Sequence, residues 1–178
     1  DATVFRSQGD RVRNGWGCLV ELEGTYVFPL LKSSQVAAGE TSHTDRWMLV
    51  PQRRVGDDTA NIRQQAPLTW SYLQSHGERL DRRASSIYRN RPRFSVFGIG
   101  DYTFAPWKVA VSGLYKKLAF RKVGSYAGKP IVLDDTPYSI ACHDEVEADR
   151  VTTMLNSGPP HELLCLLICW EANPQLTP

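Results

Sequence analysis

The chain has 178 residues and a mass of 20.0 kDa, which is the size of a single domain. Apolar residues make up 42% of it and charged residues 22%, a balance that excludes an intrinsically disordered chain. The longest apolar run, Leu163 to Trp170, is too short for a membrane span, and the first residues do not have the pattern of a secretory leader.

The net charge of +2 conceals a strong segregation along the chain. Residues 1–45 carry a net charge of −2, residues 46–129 carry +11, and residues 130–178 carry −7. Fifteen of the 21 basic residues are Arg, whose planar guanidinium matches a phosphate or a guanine edge in a bidentate way. The middle segment is therefore predicted to meet an anionic partner, with a solvated basic face covered by the acidic tail as the alternative.

The N-terminal part of the chain is predicted to hold short strands. Residues 1–17 show no apolar periodicity and are interpreted as a linker or the edge of an excised piece, so that the domain itself spans 18–178. Leu19–Leu22 and Thr25–Phe28 flank a Glu-Gly dipeptide, a pattern that predicts a hairpin.

A strand and a helix are predicted next. Trp47–Val50 is apolar and stops at Pro51, as a buried strand does. Pro67 suits the first position of a helix, and apolar residues recur behind it at helical spacing. This spacing predicts an amphipathic helix over residues 67–83.

Five further strands and two helices complete the predicted elements. The strand segments are rich in β-branched or aromatic residues and have Gly, Pro or Asp nearby; they are Phe94–Phe97, Lys108–Val111, Leu118–Val123, Ile131–Leu133 and Tyr138–Ala141. Asp144 followed by Glu147 predicts a capped helix start, and Pro159-Pro160 opens a last helix. This order predicts a single α+β domain with a mixed or mostly antiparallel sheet and flanking helices.

The four cysteines, Cys18, Cys142, Cys165 and Cys169, form no CxxC motif. Cys165 and Cys169 stand among apolar residues, which predicts buried thiols and a reducing compartment. We therefore expect a cytoplasmic protein without a membrane partner.

Catalytic chemistry is mostly absent from the sequence. Gly98-Ile99-Gly100 lacks the third glycine of a dinucleotide-binding loop and is predicted to be a turn. Asp134 and Asp135 form a carboxylate pair of the kind that a metal-dependent nuclease uses, but no further acid and Lys follow closely, so a loop role is favoured. No catalytic residue, cofactor-binding residue or metal ligand is assigned.

Residues 80–122 carry the strongest functional signal. Ten basic residues stand there against two acidic ones, with eight aromatic residues interleaved. Cations that neutralise phosphates provide affinity, and guanidinium forks and aromatic rings contact bases, so this composition predicts nucleic-acid binding. A loop of solvated arginines over an aromatic core is the alternative.

Five segments in this order make the sequence recognisable: PLLKSS at 29–34, VPQRRVGDDT at 50–59, LDRRASSIYRNRPRFSVFGIGDYTFAPWKVAVSGLYKKL at 80–118, GKPIVLDDTPY at 128–138 and EADRVTTMLNS at 147–157. Together they resemble the C-terminal target-recognition region of adenine-specific DNA methyltransferases, the TaqI-like and type IIG restriction–modification enzymes. The resemblance runs roughly from Val27 to Glu171.

The resemblance implies a division of labour. In this family an N-terminal domain binds S-adenosylmethionine through a Gly-rich loop and methylates a flipped adenine with an Asn-Pro-Pro-Tyr/Phe motif, and neither motif occurs in this chain. The resemblance therefore implies a specificity module that is not catalytic alone and has no cofactor of its own. Its implied partners are duplex DNA and the N-terminal methyltransferase domain of the parent chain, which would hold the S-adenosylmethionine.

Eleven residues are the candidate DNA contacts. The predicted phosphate contacts are Arg82, Arg83, Arg89 and Arg91, with Ser85 and Ser86 as hydroxyl donors. The candidates for base-edge or groove contacts are Arg93, Tyr102, Lys108 and Lys116, and Lys117 stands beside the last of them. Lys108 has an alternative role as an exposed residue of an edge strand. An RNA-binding module and a protein-interaction domain that meets an acidic partner stay open as other classes of function.

Overall fold

The structure, a computed structural model, describes residues 2–8, 11–83, 88, 90–114 and 118–171, with side chains up to Leu167 in the last helix. The strands of these residues are β1 (Val4–Gln8), β2 (Arg11–Asn14), β3 (Leu19–Val20), β4 (Val27–Leu31), β5 (Arg46–Leu49), β6 (Trp107–Ser112), β7 (Arg121–Val123), β8 (Ser125–Tyr126), β9 (Lys129–Pro130), β10 (Val132–Leu133) and β11 (Pro137–Cys142). The helices are α1 (Ser33–Ala38), α2 (Ile62–Gln65), α3 (Pro67–Ser75), α4 (Gly77–Asp81), α5 (Glu145–Leu155) and α6 (Gly158–Glu171).

The main sheet has six strands in the order β10-β4-β5-β1-β2-β3. Only the β10–β4 pair is parallel; the other pairs of this sheet are antiparallel. β1 lies between β5 and β2, and its Phe5 is buried in the core. The interpretation of residues 1–17 as a linker is therefore wrong for Val4–Gln8 and Arg11–Asn14, which are inner strands of the sheet.

A second sheet, β11-β6-β7, is antiparallel throughout, and β8 and β9 form a separate pair. The predicted strands around Trp47, Val109, Ile140 and Val132 are confirmed. The hairpin predicted around Gly24 is wrong, because β3 pairs with β2 while β4 pairs with β5 and β10, and a 3-10 turn at Gly24–Tyr26 separates them.

The predicted helix over residues 67–83 is two helices, α3 and α4. His76 separates them with φ −105° and ψ 6°, outside the helical range. The start of α5 agrees with the sequence, because Asp144 Oδ1 accepts a hydrogen bond from the Glu147 N–H at 2.8 Å.

The core joins the two sheets. Phe5, Leu49, Leu73 and Phe94 belong to the cluster that α3 and α4 close against the main sheet. A separate cluster connects β4 and α1 with β6 and β7 and includes Leu31, Val36, Ala110 and Val123. The α+β class is thus confirmed. Among the described residues, no helix is long and apolar enough to cross a bilayer.

Candidate nucleic-acid interface

A cleft of about 580 Å³ opens on one face of the main sheet. Three segments form its walls: β4, β5 and β1 on one side, residues 96–103 on another, and the chain between β10 and β11 on the third. The polar and aromatic side chains that line it are Thr3, Lys32, Arg83, Tyr88, Phe97, Tyr102, Thr103, Lys108, Asp134, Asp135 and Ser139. Cations, carboxylates and aromatic rings thus share one concave surface.

Residues 93–104 do not form the strand predicted at Phe94–Phe97; they form an irregular wall of the cleft. Phe94 has φ +71°, a left-handed backbone conformation that does not continue a strand. Gln52 donates from its amide to the Val96 carbonyl and accepts from the Val96 N–H at 3.1 Å. This two-way bond of a buried glutamine substitutes for the pairing that a neighbouring strand would give.

Two aromatic side chains project from this wall. Val96 and Ile99 point into the core against Leu30, which leaves Phe97 54% exposed. Tyr102 is 50% exposed, and its hydroxyl donates to the Gly98 carbonyl at 2.7 Å. Gly98 has φ +73°, a conformation that a residue with a side chain adopts at a cost. The turn predicted at Gly98-Ile99-Gly100 therefore presents aromatic rings to the cleft.

Lys108 lies at the floor of the cleft and is 1% exposed. Its Nζ donates to the carbonyls of Ala105 at 2.7 Å and Ile131 at 2.8 Å. Burial lowers the pKa of Lys108 to about 8. The edge-strand alternative is wrong, because β6 is the central strand of its sheet. The enclosure of the amine argues against the predicted base or groove contact, which stays a prediction.

Arg82 and Arg83, predicted together as phosphate contacts, have different environments. The Arg82 side chain is 81% exposed, and its one partner among the described residues is Glu78, in a loose ion pair at 3.8 Å. Arg83 donates from Nε to the Leu80 carbonyl and from Nη1 to the Ser95 carbonyl, at 2.8 and 2.7 Å. Its guanidinium also lies over the Tyr88 ring, 3.8 Å from the centroid. Arg82 is thus available to contact a ligand, whereas the hydrogen bonds and ring contact of Arg83 stabilise the cleft wall.

Arg91 and Arg93 differ in the same way. Arg91 is exposed, and its side chain has no hydrogen bond or ion pair with the described residues. Arg93 pairs with Asp81 through Nη2 and Oδ2 at 2.8 Å and donates to Gln74 at 3.3 Å. The hydrogen bond to Asp81 raises the pKa of Arg93. Arg93 therefore connects its segment to α4 and α3.

The remaining predicted contacts, Ser85, Ser86, Arg89, Lys116 and Lys117, lie outside the described residues. Their assignment stays a prediction.

Four cations near the cleft were not among the predicted contacts. Arg6, Arg13, Arg46 and Lys32 line a shallow depression of about 270 Å³, and Lys32 and Val4 line both this depression and the cleft. The spacing of Arg11 and Arg13, two residues apart, could have indicated a strand with cations on one face, but the absence of apolar periodicity in residues 1–17 favoured a linker.

The carboxylate pair Asp134 and Asp135 lies on the cleft wall. Asp134 accepts a hydrogen bond from the Thr136 hydroxyl at 3.0 Å, as in a polar turn. Within the residues whose placement is described, no group of three His, Cys, Asp or Glu side chains is arranged to hold a metal ion. The described residues therefore give the nuclease alternative no metal-binding cluster around Asp134 and Asp135.

Comparison with known proteins adds one close relative. No family model matches the chain. The chain is 47% identical over 172 residues to the type II methyltransferase M.NspV of Nostoc sp. (strain ATCC 29411 / PCC 7524). The match covers 96% of this chain and 36% of M.NspV, so the chain spans about a third of the length of that relative.

Proposed function

We propose that the chain binds duplex DNA and reads its sequence, as the target-recognition part of an adenine-specific, S-adenosylmethionine-dependent DNA methyltransferase. The similarity to M.NspV carries this proposal, because it extends over nearly all of this chain but only 36% of the methyltransferase. The chain also has no Asn-Pro-Pro-aromatic motif. Target recognition, not methyl transfer, is the part of such an enzyme that fits these two observations.

The proposal places the S-adenosylmethionine site outside this chain. The GxG turn on the cleft wall, Gly98 to Gly100, leads into the short 3-10 turn Asp101–Phe104. A cofactor loop needs a helix N-terminus at that point for its backbone N–H groups. The methyl donor and the catalytic residues would therefore belong to the rest of the parent protein.

The side chains of the cleft suit base edges better than phosphates. Asp134 and Asp135 would repel a phosphate, but a carboxylate accepts well from the exocyclic amino group of cytosine. Phe97 and Tyr102 offer apolar surface to a base or to a thymine methyl group. The exposed Arg82 and Arg91 supply cations for the sugar–phosphate backbone beside the bases.

Fluorescence anisotropy with labelled nucleic acids tests the proposal. We expect the 178-residue chain to bind duplex DNA more tightly than single-stranded RNA, with an affinity that falls steeply as salt rises. R82A/R91A should weaken binding and lower the slope of log K against log salt by about two, one unit for each lost phosphate contact. Unchanged duplex affinity of R82A/R91A at low salt would show that these two assignments are wrong.

Other outcomes point to the other classes of function. Tighter binding to single-stranded RNA would indicate an RNA-binding module. No salt-dependent binding to any nucleic acid would favour a protein-interaction domain. Cleavage of a plasmid by the chain with magnesium would favour a nuclease that uses Asp134 and Asp135.

A further inference from the structure

Three arginines stand side by side on the main sheet, one on each of three adjacent strands. Arg6 of β1 pairs directly with Arg13 of β2 and with Arg46 of β5. Directly opposite residues of antiparallel strands project from the same face, and their Cβ atoms lie about 5 Å apart. The three side chains therefore form one row across the sheet, which we call the arginine row, with a length of about 10 Å between the outer strands.

Folding alone gives no reason for this arrangement. Like charges placed directly opposite each other destabilise a sheet. Within the described part of the chain, Asp45 is the one carboxylate paired with the row: its oxygens lie 3.9 Å from Arg6 Nη1 and 3.8 Å from Arg46 Nε. Both distances exceed a hydrogen bond, so one shared carboxylate compensates two guanidinium groups weakly.

Arg13 is positioned by neutral groups. Its Nε and Nη2 donate to Gln8 Oε1 at 2.9 and 2.7 Å, and its Nη1 donates to the Gly17 carbonyl. These bonds fix the direction of the side chain, and none of the carboxylates in the described residues pairs with its charge. The row thus keeps a net positive charge and unused donors, above all at Arg6, whose side chain is 66% exposed.

The arginine row is continuous with the cleft. Together with Lys32 it surrounds the depression of about 270 Å³, and Lys32 also lines the cleft. Within the described residues, the Lys32 amine has no hydrogen bond or ion pair; its backbone N–H bonds to Gln35 Oε1 at 3.2 Å. Four cations therefore border a cleft whose own lining includes carboxylates and aromatic rings.

We propose that Arg6, Arg13 and Arg46, with Lys32, are a phosphate-binding site that holds the sugar–phosphate backbone of the DNA whose bases face the cleft. The inference rests on the proposed function and adds a site to it. A duplex strand presents one phosphate for about 3.4 Å of helix axis, so a row of about 10 Å faces roughly three phosphates. The guanidinium forks match them in a bidentate way. Because the backbone is the same for all sequences, the arginine row sets affinity and position, and the cleft sets the sequence preference.

The test compares R6A/R46A with the matched control R63A/R150A. The control removes the same charge from α2 and α5, which carry no residue of the row or of the cleft. We expect R6A/R46A to lower the salt slope of duplex binding by about two and to weaken binding about 60-fold at 0.1 M salt, while the motif it selects stays unchanged. R6K/R46K should keep the slope and lose affinity only severalfold, because Lys retains the charge without the fork.

Thermal unfolding separates binding from folding. R6A/R46A removes like charges and should unfold no earlier than the wild-type chain. If it unfolds early, R6Q/R46Q keeps a polar side chain with an aliphatic stem at both positions, removes both charges and should show the same loss of slope. If a folded R6A/R46A or R6Q/R46Q variant binds duplex DNA with the salt slope and affinity of the wild-type chain, the inference is overturned. The proposed function would then still stand. Failure of the wild-type chain to bind duplex DNA would overturn the proposed function first and the inference with it.

Discussion

The buried Lys108 side chain links two backbone segments by hydrogen bonds. Its amine donates to one carbonyl before β6 and to another between β9 and β10. Burying a cation without a carboxylate costs free energy, and the fall of the pKa of Lys108 to about 8 expresses that cost. A residue that looks like a DNA contact in the sequence is thus part of the support under the cleft.

This burial makes stability depend on pH in a specific direction. Between about pH 8 and pH 10.5 the unfolded chain holds a proton on Lys108 that the folded chain has released, so the free energy of unfolding should rise with pH there. We expect a gain of about 2 kcal/mol between pH 7 and pH 10 relative to K108M, which has no group to titrate. Urea unfolding of both proteins across this range measures the difference. Parallel curves for the wild-type chain and K108M would contradict the burial of a charged amine.

Phe97 is one of the two exposed rings of the cleft that we propose to contact bases. F97A should weaken duplex binding by about 1–3 kcal/mol, the range for loss of base–aromatic stacking, without changing the salt slope. V146A, which trims another exposed apolar side chain on α5, is the control and should bind as the wild type does. A reduced salt slope in F97A would mean that the substitution disturbs nearby cations instead.

At the scale of elements, the N-terminus of α3 is capped by a residue that is distant in sequence. Glu23 accepts hydrogen bonds from the N–H groups of Leu68 and Thr69, both at 2.8 Å, and from the Thr69 hydroxyl at 2.6 Å. A carboxylate at this position also complements the helix dipole. Glu23, which precedes the 3-10 turn before β4, thereby fixes the start of α3 and, through it, the helix pair that leads to Arg82.

The capping role of Glu23 gives a stability prediction. E23A should lower the free energy of unfolding by about 1–2 kcal/mol, because two N–H groups of α3 lose their acceptor. E21A removes an exposed carboxylate two residues earlier and should change stability by less than about 0.5 kcal/mol. Chemical unfolding of the two variants compares them, and equal stability would show that solvent replaces the cap without cost.

Elements with local signals could be predicted from the sequence, and elements fixed by distant partners could not. Asp144 caps the start of α5 by accepting a hydrogen bond from Glu147, three residues away, and Pro51 closely follows the end of β5. The start of α5 and the end of β5 could therefore be predicted from the local sequence. The wall around Val96 depends on Gln52, 44 residues away, and no local pattern distinguishes it from a strand. The break between α3 and α4 at His76 could not be predicted either, because the helical spacing of apolar residues continues across it.

At the scale of the whole molecule, the cations of the candidate interface come from two parts of the chain. The basic block after residue 45 supplies Arg82 and Arg91, which the charge of their segment alone selects as proposed phosphate contacts. Arg6 and Arg13 belong to a segment of net charge −2 and come next to the cleft only because β1 and β2 join β5 in the main sheet. Long-range strand pairing decided their position, so segment charge could not reveal them.

Selection from a pool of randomised duplex DNA tests the central claim most directly. The 178-residue chain is incubated with the pool, bound duplexes are amplified and sequenced, and the cycle is repeated with the wild-type chain, R82A/R91A and R6A/R46A. We expect the three proteins to enrich one common motif, with lower recovery for the two variants, because the cations hold the backbone and the cleft reads the bases. A recovered pool without a common motif would contradict the claim that this chain recognises a DNA sequence.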